Sequence, residues 1–247
     1  MTGADLIAHM RETILDDIAL PQLWGDTELL RCLNYAEVQA CRRAHLIIDG
    51  TTVNDSGTAA TASTAGQRPL CQLTIVANQA VYYLSQKILQ IKRCQLKSMS
   101  YPLEGPLSYP QLDDLMAGWF TTAGTVGTAG SGGYPYGFLN EPPNTITFVQ
   151  APSVSDIAYL VVSRLPLVPF GLKGSPEVDE QYHFGLCDWA AHLAFMKPDS
   201  ETINLDLSRF YENKFIEQFG PLPDATVQRM RKQYSQRQRM RPREFGS

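Results

Sequence analysis

Two stretches of helical character put possible metal ligands one turn apart, Cys41 with His45 and His183 with Cys187. At i and i+4 both side chains share a helix face, and thiolate with imidazole is a zinc-binding pair. A closed site needs a third and a fourth donor. The other histidines, His9 and His192, fall on separate predicted helices, and no His-Glu-x-x-His segment gathers ligands. No metal is expected. The run Gly124–Gly133 is rich enough in glycine to cradle a phosphate, yet it lacks the Gly-Lys-Ser/Thr ending and a strand-to-helix setting. No cofactor is expected either. There is no Gly-x-Ser-x-Gly elbow, and the paired carboxylates Asp16-Asp17 and Asp113-Asp114 are sequence neighbours, the usual mark of a solvated face. The sequence predicts no catalytic residue, and the chain is read as a non-enzyme.

The remaining chemistry is charge. Residues 221–247 carry seven basic side chains, Arg229, Arg231, Lys232, Arg237, Arg239, Arg241 and Arg243, against Asp224 and Glu244, a net +5. The other 220 residues carry −9. A basic end on an acidic body commonly meets an acidic partner, either nucleic acid or a negative protein surface. Val227, Met230 and Tyr234 fall at i, i+3 and i+7 behind the candidate caps Asp224 and Thr226, which reads as a narrow apolar docking stripe on a basic helix. Drawn out, the 27-residue segment would reach up to ~90 Å. A sequence-nonspecific DNA-binding protein using the same arginines is the alternative reading.

The elements that must carry these groups are set by periodicity. Thr2 caps a helix over about Ala4–Ile18, with Leu6, Ile7, Met10, Ile14 and Ile18 as its stripe. Asp26 caps a second helix ending near Ile48, apolar along Leu29, Leu30, Leu33, Ala36, Ala40 and Ala44 and polar at Arg31, Glu37, Arg42 and Arg43. A third starts at Ser175-Pro176-Glu177 and buries Tyr182, Leu186, Trp189, Ala190, Leu193 and Ala194. A fourth, capped near Asp199 or Ser200, presents Leu207, Phe210, Tyr211, Ile216 and Phe219 before Gly220. Between the two pairs lie β-like segments, Cys71–Val76, Val81–Leu84, Ile88–Leu96, Thr145–Val149 and Ile157–Arg164. Two stretches of low complexity, Gly50–Gly66 and Thr121–Gly133, are read as exposed loops. The second leads into the aromatic Tyr134-Pro135-Tyr136-Gly137-Phe138, read as an outward contact.

The expected class is α+β: a four-helix bundle of the N-terminal and C-terminal helix pairs, with an inserted antiparallel β module and an extended basic C-terminal tail. Its boundaries are 1–50, 51–170, 171–220 and 221–247. With 44% apolar and 19% charged residues the composition excludes collagen-like, disordered and disulfide-scaffold classes. Apolar runs such as Ile157–Leu160 are far below the ~20 residues of a membrane span, and no secretory signal opens the chain. The five cysteines form no Cys-x-x-Cys and read as reduced thiols of a cytoplasmic protein.

The segment Leu23-Trp24-Gly25-Asp26-Thr27-Glu28-Leu29-Leu30, continuing Leu33-Asn34-Tyr35-Ala36-Glu37 and Cys41-Arg42-Arg43-Ala44, resembles the opening of the head-to-tail adaptor (connector, or head completion) proteins of tailed bacteriophages. Arg164-Leu165-Pro166-Leu167, Pro176-Glu177-Val178-Asp179-Glu180-Gln181-Tyr182-His183 and Phe219-Gly220-Pro221-Leu222-Pro223 before a basic tail are similar to the family's closing helices. The two Gly/Thr/Ala-rich insertions depart from its leaner pattern. The resemblance implies a structural virion protein, assembled in the host cytoplasm, that forms a dodecameric ring under the portal in the virion neck. It further implies that the ring extends the DNA channel, lets double-stranded DNA pass without sequence specificity, and offers a platform to tail or nozzle proteins, with no membrane partner. The portal-binding residues would then be Val227, Arg229, Met230, Arg231, Lys232, Tyr234, Arg237, Arg239, Arg241 and Arg243. Tyr134, Tyr136 and Phe138 would contact a neighbouring subunit or the tail.

Overall fold

The first helix begins as its cap requires. Thr2 Oγ1 accepts a hydrogen bond from the Asp5 amide at 3.3 Å, and the Asp5 carboxylate accepts one from the Thr2 amide at 2.8 Å, closing a reciprocal capping box. The structure, a computed structural model, describes residues 1–56, 67–115, 133–141, 144–199, 201–227 and 230. The chain divides into two units: Met1–Asp49 with Asp55–Ala59 and Ser163–Pro223, and Gly50–Asn54 with Ala60–Val162 and Asp224–Ser247.

In the helical unit, α1 spans Gly3–His9 and passes into a π-helical turn, Met10–Leu15. It stops three residues before the expected Ile18, because Asp16 adopts the left-handed conformation at φ 49°. Ile18 is exposed rather than part of the buried stripe. Asp17, expected on a solvated face, is buried instead. Its carboxylate pairs with Arg11 and accepts the amides of Leu23 and Trp24, while Arg11 also reaches the Trp24 carbonyl and Asp26. The link before the second helix is thereby fastened to the first.

Helix α2, Asp26–Ala44, ends where His45 turns left-handed at φ 52°, and the next residues, expected as its last turn, form a short strand β1, Ile47–Asp49. Leu29, Leu33, Ala36 and Ala40 are fully buried, as the stripe requires, but Ala44 is exposed and the supposedly polar Glu37 and Arg43 are buried. Helix α3, Tyr109–Leu115, belongs to the β unit. The next helix of the helical unit is α4, His183–Phe195, entered through a 3₁₀ turn at Glu180–Tyr182. It starts eight residues after Ser175. The amides of Glu177 and Val178, which a helix start would leave to solvent, are taken by the Glu37 carboxylate at 2.5 and 3.2 Å, holding that segment in a non-helical course. Helix α4 is buried nearly all round, His183, Cys187 and Ala191 as well as Leu186, Trp189 and Ala190. That is the pattern of a central helix.

Helix α5, Leu205–Phe219, is capped by Asn204, whose side chain accepts from the Leu207 amide, and not by Asp199. Its buried face is Ser208, Phe215 and Phe219, whereas Leu207 and Phe210 are exposed. Ser208 is buried because its hydroxyl meets His192 on α4, at 2.9 Å from Nδ1 and 3.1 Å from the carbonyl. Side chains of α1, the π turn, α2, α4 and α5 share one apolar core that includes Leu6, Met10, Leu33, Leu186 and Phe215.

The β unit contains strands close to those expected: β2 Gln72–Ile75, β3 Val81–Tyr83, β4 Ile88–Leu96, β6 Thr145–Val149 and β7 Asp156–Arg164, the last running on into the helical unit's sequence at Ser163. The periodicity predicts neither helix α3 nor strand β5, Gly137–Glu141, both of which the structure contains. Strands β2 and β4 both pair with β7, with Leu73 opposite Ala158 in the antiparallel β2–β7 ladder. A separate antiparallel sheet runs β3-β6-β5, with Tyr82 opposite Ile146 and Phe138 opposite Phe148. The α+β class holds; the β residues form two sheets.

Candidate functional site

Three places carry the groups that the sequence singled out. The first is the end of α5 together with the residues beyond it. The Gly220 amide closes the helix on the Ile216 carbonyl, and Gly220 itself has φ 82°, a conformation that favours glycine. Arg43 binds the Gly220 carbonyl at 3.2 Å while its guanidinium lies 4.6 Å from the Trp189 ring centroid and 4.9 Å from that of Phe215. Buried at 8% exposure, it forms no ion pair among the described residues; the two rings and the carbonyl end of α5 offset its charge. Burial pulls its pKa down. After Pro221-Leu222-Pro223, residues 225–227 are helical and so is Met230. Val227 and Met230 are exposed, at 41% and 52%. The other members of the predicted docking set, Arg229, Arg231, Lys232, Tyr234, Arg237, Arg239, Arg241 and Arg243, lie outside the described residues.

The second place is the aromatic run. Tyr134 and Tyr136 are 47% and 43% exposed, but Phe138 is fully buried in β5 against Phe148. The expectation of a surface contact at Phe138 is corrected: it packs the core of its own unit, because its place in β5 sets it opposite Phe148 while Tyr136, before the strand, stays exposed. The Phe138 amide donates to the Glu104 carbonyl and its carbonyl accepts from Leu107, both at 2.9 Å.

The third comprises the histidine and cysteine pairs. His45 is not on the helical face with Cys41; it is the left-handed cap, and its Nδ1 lies 2.9 Å from Ser163 Oγ. His183 Nε2 meets the Val178 carbonyl at 3.0 Å, and the Cys187 thiol points to the His183 carbonyl. Burial pushes the thiols of Cys41, Cys94 and Cys187 up to about 12, so they are protonated and behave as small apolar groups. All five cysteines are free of disulfides.

A cleft of about 470 Å³ that the sequence did not announce opens among α1, the π turn, α4 and α5, lined in part by His9, Thr13, Phe184, Asp188 and Lys214. Burial raises the Asp188 pKa, opposed by the charges of Lys214 and His9. The Thr13 hydroxyl lies 3.3 Å from the His9 ring, which resembles a nucleophile and its base, but it donates at 2.5 Å to the His9 carbonyl one turn back. That proton is held by the helix backbone, and the pair is not poised for nucleophilic catalysis.

A family model described as SU10 adaptor protein matches residues 1–243, nearly the whole chain. The chain belongs to the SU10 adaptor protein family, a family of phage head-tail adaptors. No curated protein matches it. Membership gives this adaptor a structural role in a bacteriophage particle. Among its described residues no helix is long and apolar enough to cross a membrane. The features that sequence reasoning missed, Arg43 beside the adjoining Trp189 and Phe215 rings and the buried Glu37, had no local signal: each looks like an ordinary polar position of an amphipathic helix until the partner element arrives from well over a hundred residues away.

Proposed function

We propose that this SU10-family adaptor forms a ring, dodecameric by its resemblance to connector proteins, beneath the portal in the virion neck, where it extends the DNA channel and presents a platform to tail or nozzle proteins. Residues 221–247 are its portal-docking segment. The observation that carries this reading is the exposure of Val227 and Met230, spaced three apart at the head of a segment with net charge +5, immediately after a helix closed by Gly220 and Pro221-Leu222-Pro223. Solvated apolar side chains at that spacing gain free energy only when a partner covers them. Repetition around a ring multiplies a modest contact into a durable joint. The −9 charge of the remaining residues lets packaged DNA pass without adhering. Tyr134 and Tyr136 are the exposed aromatics available for a neighbouring subunit or tail protein.

Mixing the protein with its portal and measuring particle size tests this directly. The full chain should co-migrate with the portal, and a chain ending at Gly220 should not. Equal binding by both would remove residues 221–247 from the docking mechanism.

A further inference from the structure

The sheet β3-β6-β5 is closed on one side and open on the other. Outside β5, residues 104–107 run alongside: Glu104 bridges Gly137 in parallel, Phe138 donates to Glu104, and Leu107 donates to Phe138. Outside β3 no strand pairs among the described residues. The ladder fixes which backbone groups face that way. Phe148 donates to the Ala80 carbonyl and Leu84 to the Asn144 carbonyl, both at 2.9 Å, so Ala80, Tyr82 and Leu84 turn their peptide groups toward β6. Val81 and Tyr83, alternating with them, turn theirs outward. The Val81 carbonyl is taken by the Gln79 side-chain amide at 3.0 Å. The Val81 amide and both backbone polar groups of Tyr83 have no partner among the described residues, and the two side chains are 43% and 68% exposed.

Soluble proteins usually guard such an edge with lysine, proline or a bulge. Here Ala80-Val81-Tyr82-Tyr83-Leu84 has no charge and no proline, and its ladder extends over five residues, about 17 Å. We propose that the β3 edge takes up an extended segment of a second copy of this chain, adding a strand to the sheet. Two features favour a second copy. A ring is built from heterologous contacts, unlike surface to unlike surface, and a sheet with one closed and one open edge is one half of such a contact. Charge points the same way: two bodies of −9 repel, a neutral contact adds nothing to that repulsion, and the chain supplies a matching neutral stretch in residues 116–132, which hold no charged side chain and lie between Leu115 and Gly133. This inference rests on the ring assembly proposed above.

Hydrogen exchange of the full-length protein, alone over a concentration series and assembled with its portal, tests it. The Tyr82 amide, bonded to β6, should be protected throughout. The Val81 and Tyr83 amides should exchange freely at low concentration and slow by roughly 100-fold or more on assembly. Tyr83→Lys should weaken self-association at least about tenfold, through a charge placed on the edge, and leave the thermal midpoint of the dilute protein unchanged; Tyr83→Phe should associate as the native chain does. Assembly with both outward amides unprotected would overturn strand addition while leaving the ring intact. Protection independent of concentration would show that the chain covers its own edge and overturn the second-copy assignment. Failure to self-associate under any condition would overturn the ring and this inference together.

Discussion

The carboxylate of Glu37 on α2 accepts a hydrogen bond from the backbone amide of Glu177 at 2.5 Å, across 140 residues of sequence. The same oxygen takes the Val178 amide, and Glu177 in turn pairs with Arg164, which is locked to Asp49 at 2.7 Å. One chain of contacts thus ties α2, β1, the end of β7 and the approach to α4. The network holds three carboxylates and one guanidinium. Glu37 is the member without a cationic partner in hydrogen-bond range among the described residues, and burial pushes its pKa up to about 7.

That shift has a definite sign. Glu37 holds its proton in the folded state to about pH 7 but only to its ordinary 4.5 when unfolded. Between those values the native state binds more protons, so this group's contribution falls as pH rises from 4.5 to 7 and is level above. Glu37→Gln removes the titration. Denaturant unfolding of both proteins, followed by tryptophan fluorescence, should show the variant gaining on the native chain across that window by up to ~3 kcal/mol. A difference independent of pH would show that Glu37 does not titrate there.

Arg164 and Lys197 make ion pairs of very different worth. Arg164 and Asp49 are each 6% exposed, so Arg164→Met takes the guanidinium away from a buried carboxylate and should cost about 3–5 kcal/mol. Lys197 and Glu28 are each 30% exposed, and Lys197→Met should cost less than about 1 kcal/mol. Equal losses in the same unfolding experiment would refute the distinction.

The strands are legible in the sequence because alternation and turn residues are local: Ile88–Leu96 and Thr145–Val149 match to the residue. The starts of α1 and α2 are legible too, but that of α4 is not, because a distant group sets it. Nothing near Ser175 says that Glu37 will claim the amides of Glu177 and Val178; at α5 the cap is local, and Asn204 competes with Asp199 and Ser200 as an equally good capping residue a few positions away. On α5 the eye follows Leu207 and Phe210, yet a buried position is Ser208, whose hydroxyl is satisfied by His192. Phe138 misleads for the converse reason. A glycine- and proline-bearing aromatic run looks like a loop, and its strand character comes from pairing with Phe148. The three-residue spacing of Val227 and Met230 is visible in the sequence, whereas the contacts of Arg43 with Trp189 and Phe215 require the fold.

Gly105 is a position where the closed edge of the sheet is sensitive to substitution. Its φ is +145°, and an added Cβ would sit 2.7 Å from the Phe138 carbonyl oxygen and 2.9 Å from two carbons of its ring. Backbone strain and overpacking against a fully buried phenylalanine should together cost about 2–4 kcal/mol in Gly105→Ala. The same change should speed hydrogen exchange at the Leu107 and Phe138 amides, which hold residues 104–107 to β5. Gly171→Ala, with nothing within 4 Å of the added carbon, is the matched control and should stay within about 0.5 kcal/mol of the native chain.

Docking through apolar contact and docking through charge separate on salt. Val227 and Met230 together offer enough exposed apolar surface that covering them contributes about 3 kcal/mol. The double change Val227→Asn with Met230→Gln, which leaves the charge of the segment as it is, should therefore weaken portal binding roughly 100-fold, with little dependence on ionic strength. Replacing Arg229, Arg231 and Lys232 by Gln should instead weaken binding at low salt and cost progressively less as salt screens the native charges. A sequence-nonspecific DNA-binding protein would give the opposite result: unaltered DNA affinity in the Val227 and Met230 variant, and in the native chain an affinity that falls steeply with the logarithm of salt concentration. Measuring both variants against portal and against duplex DNA across the same salt series assigns the segment to one partner or the other.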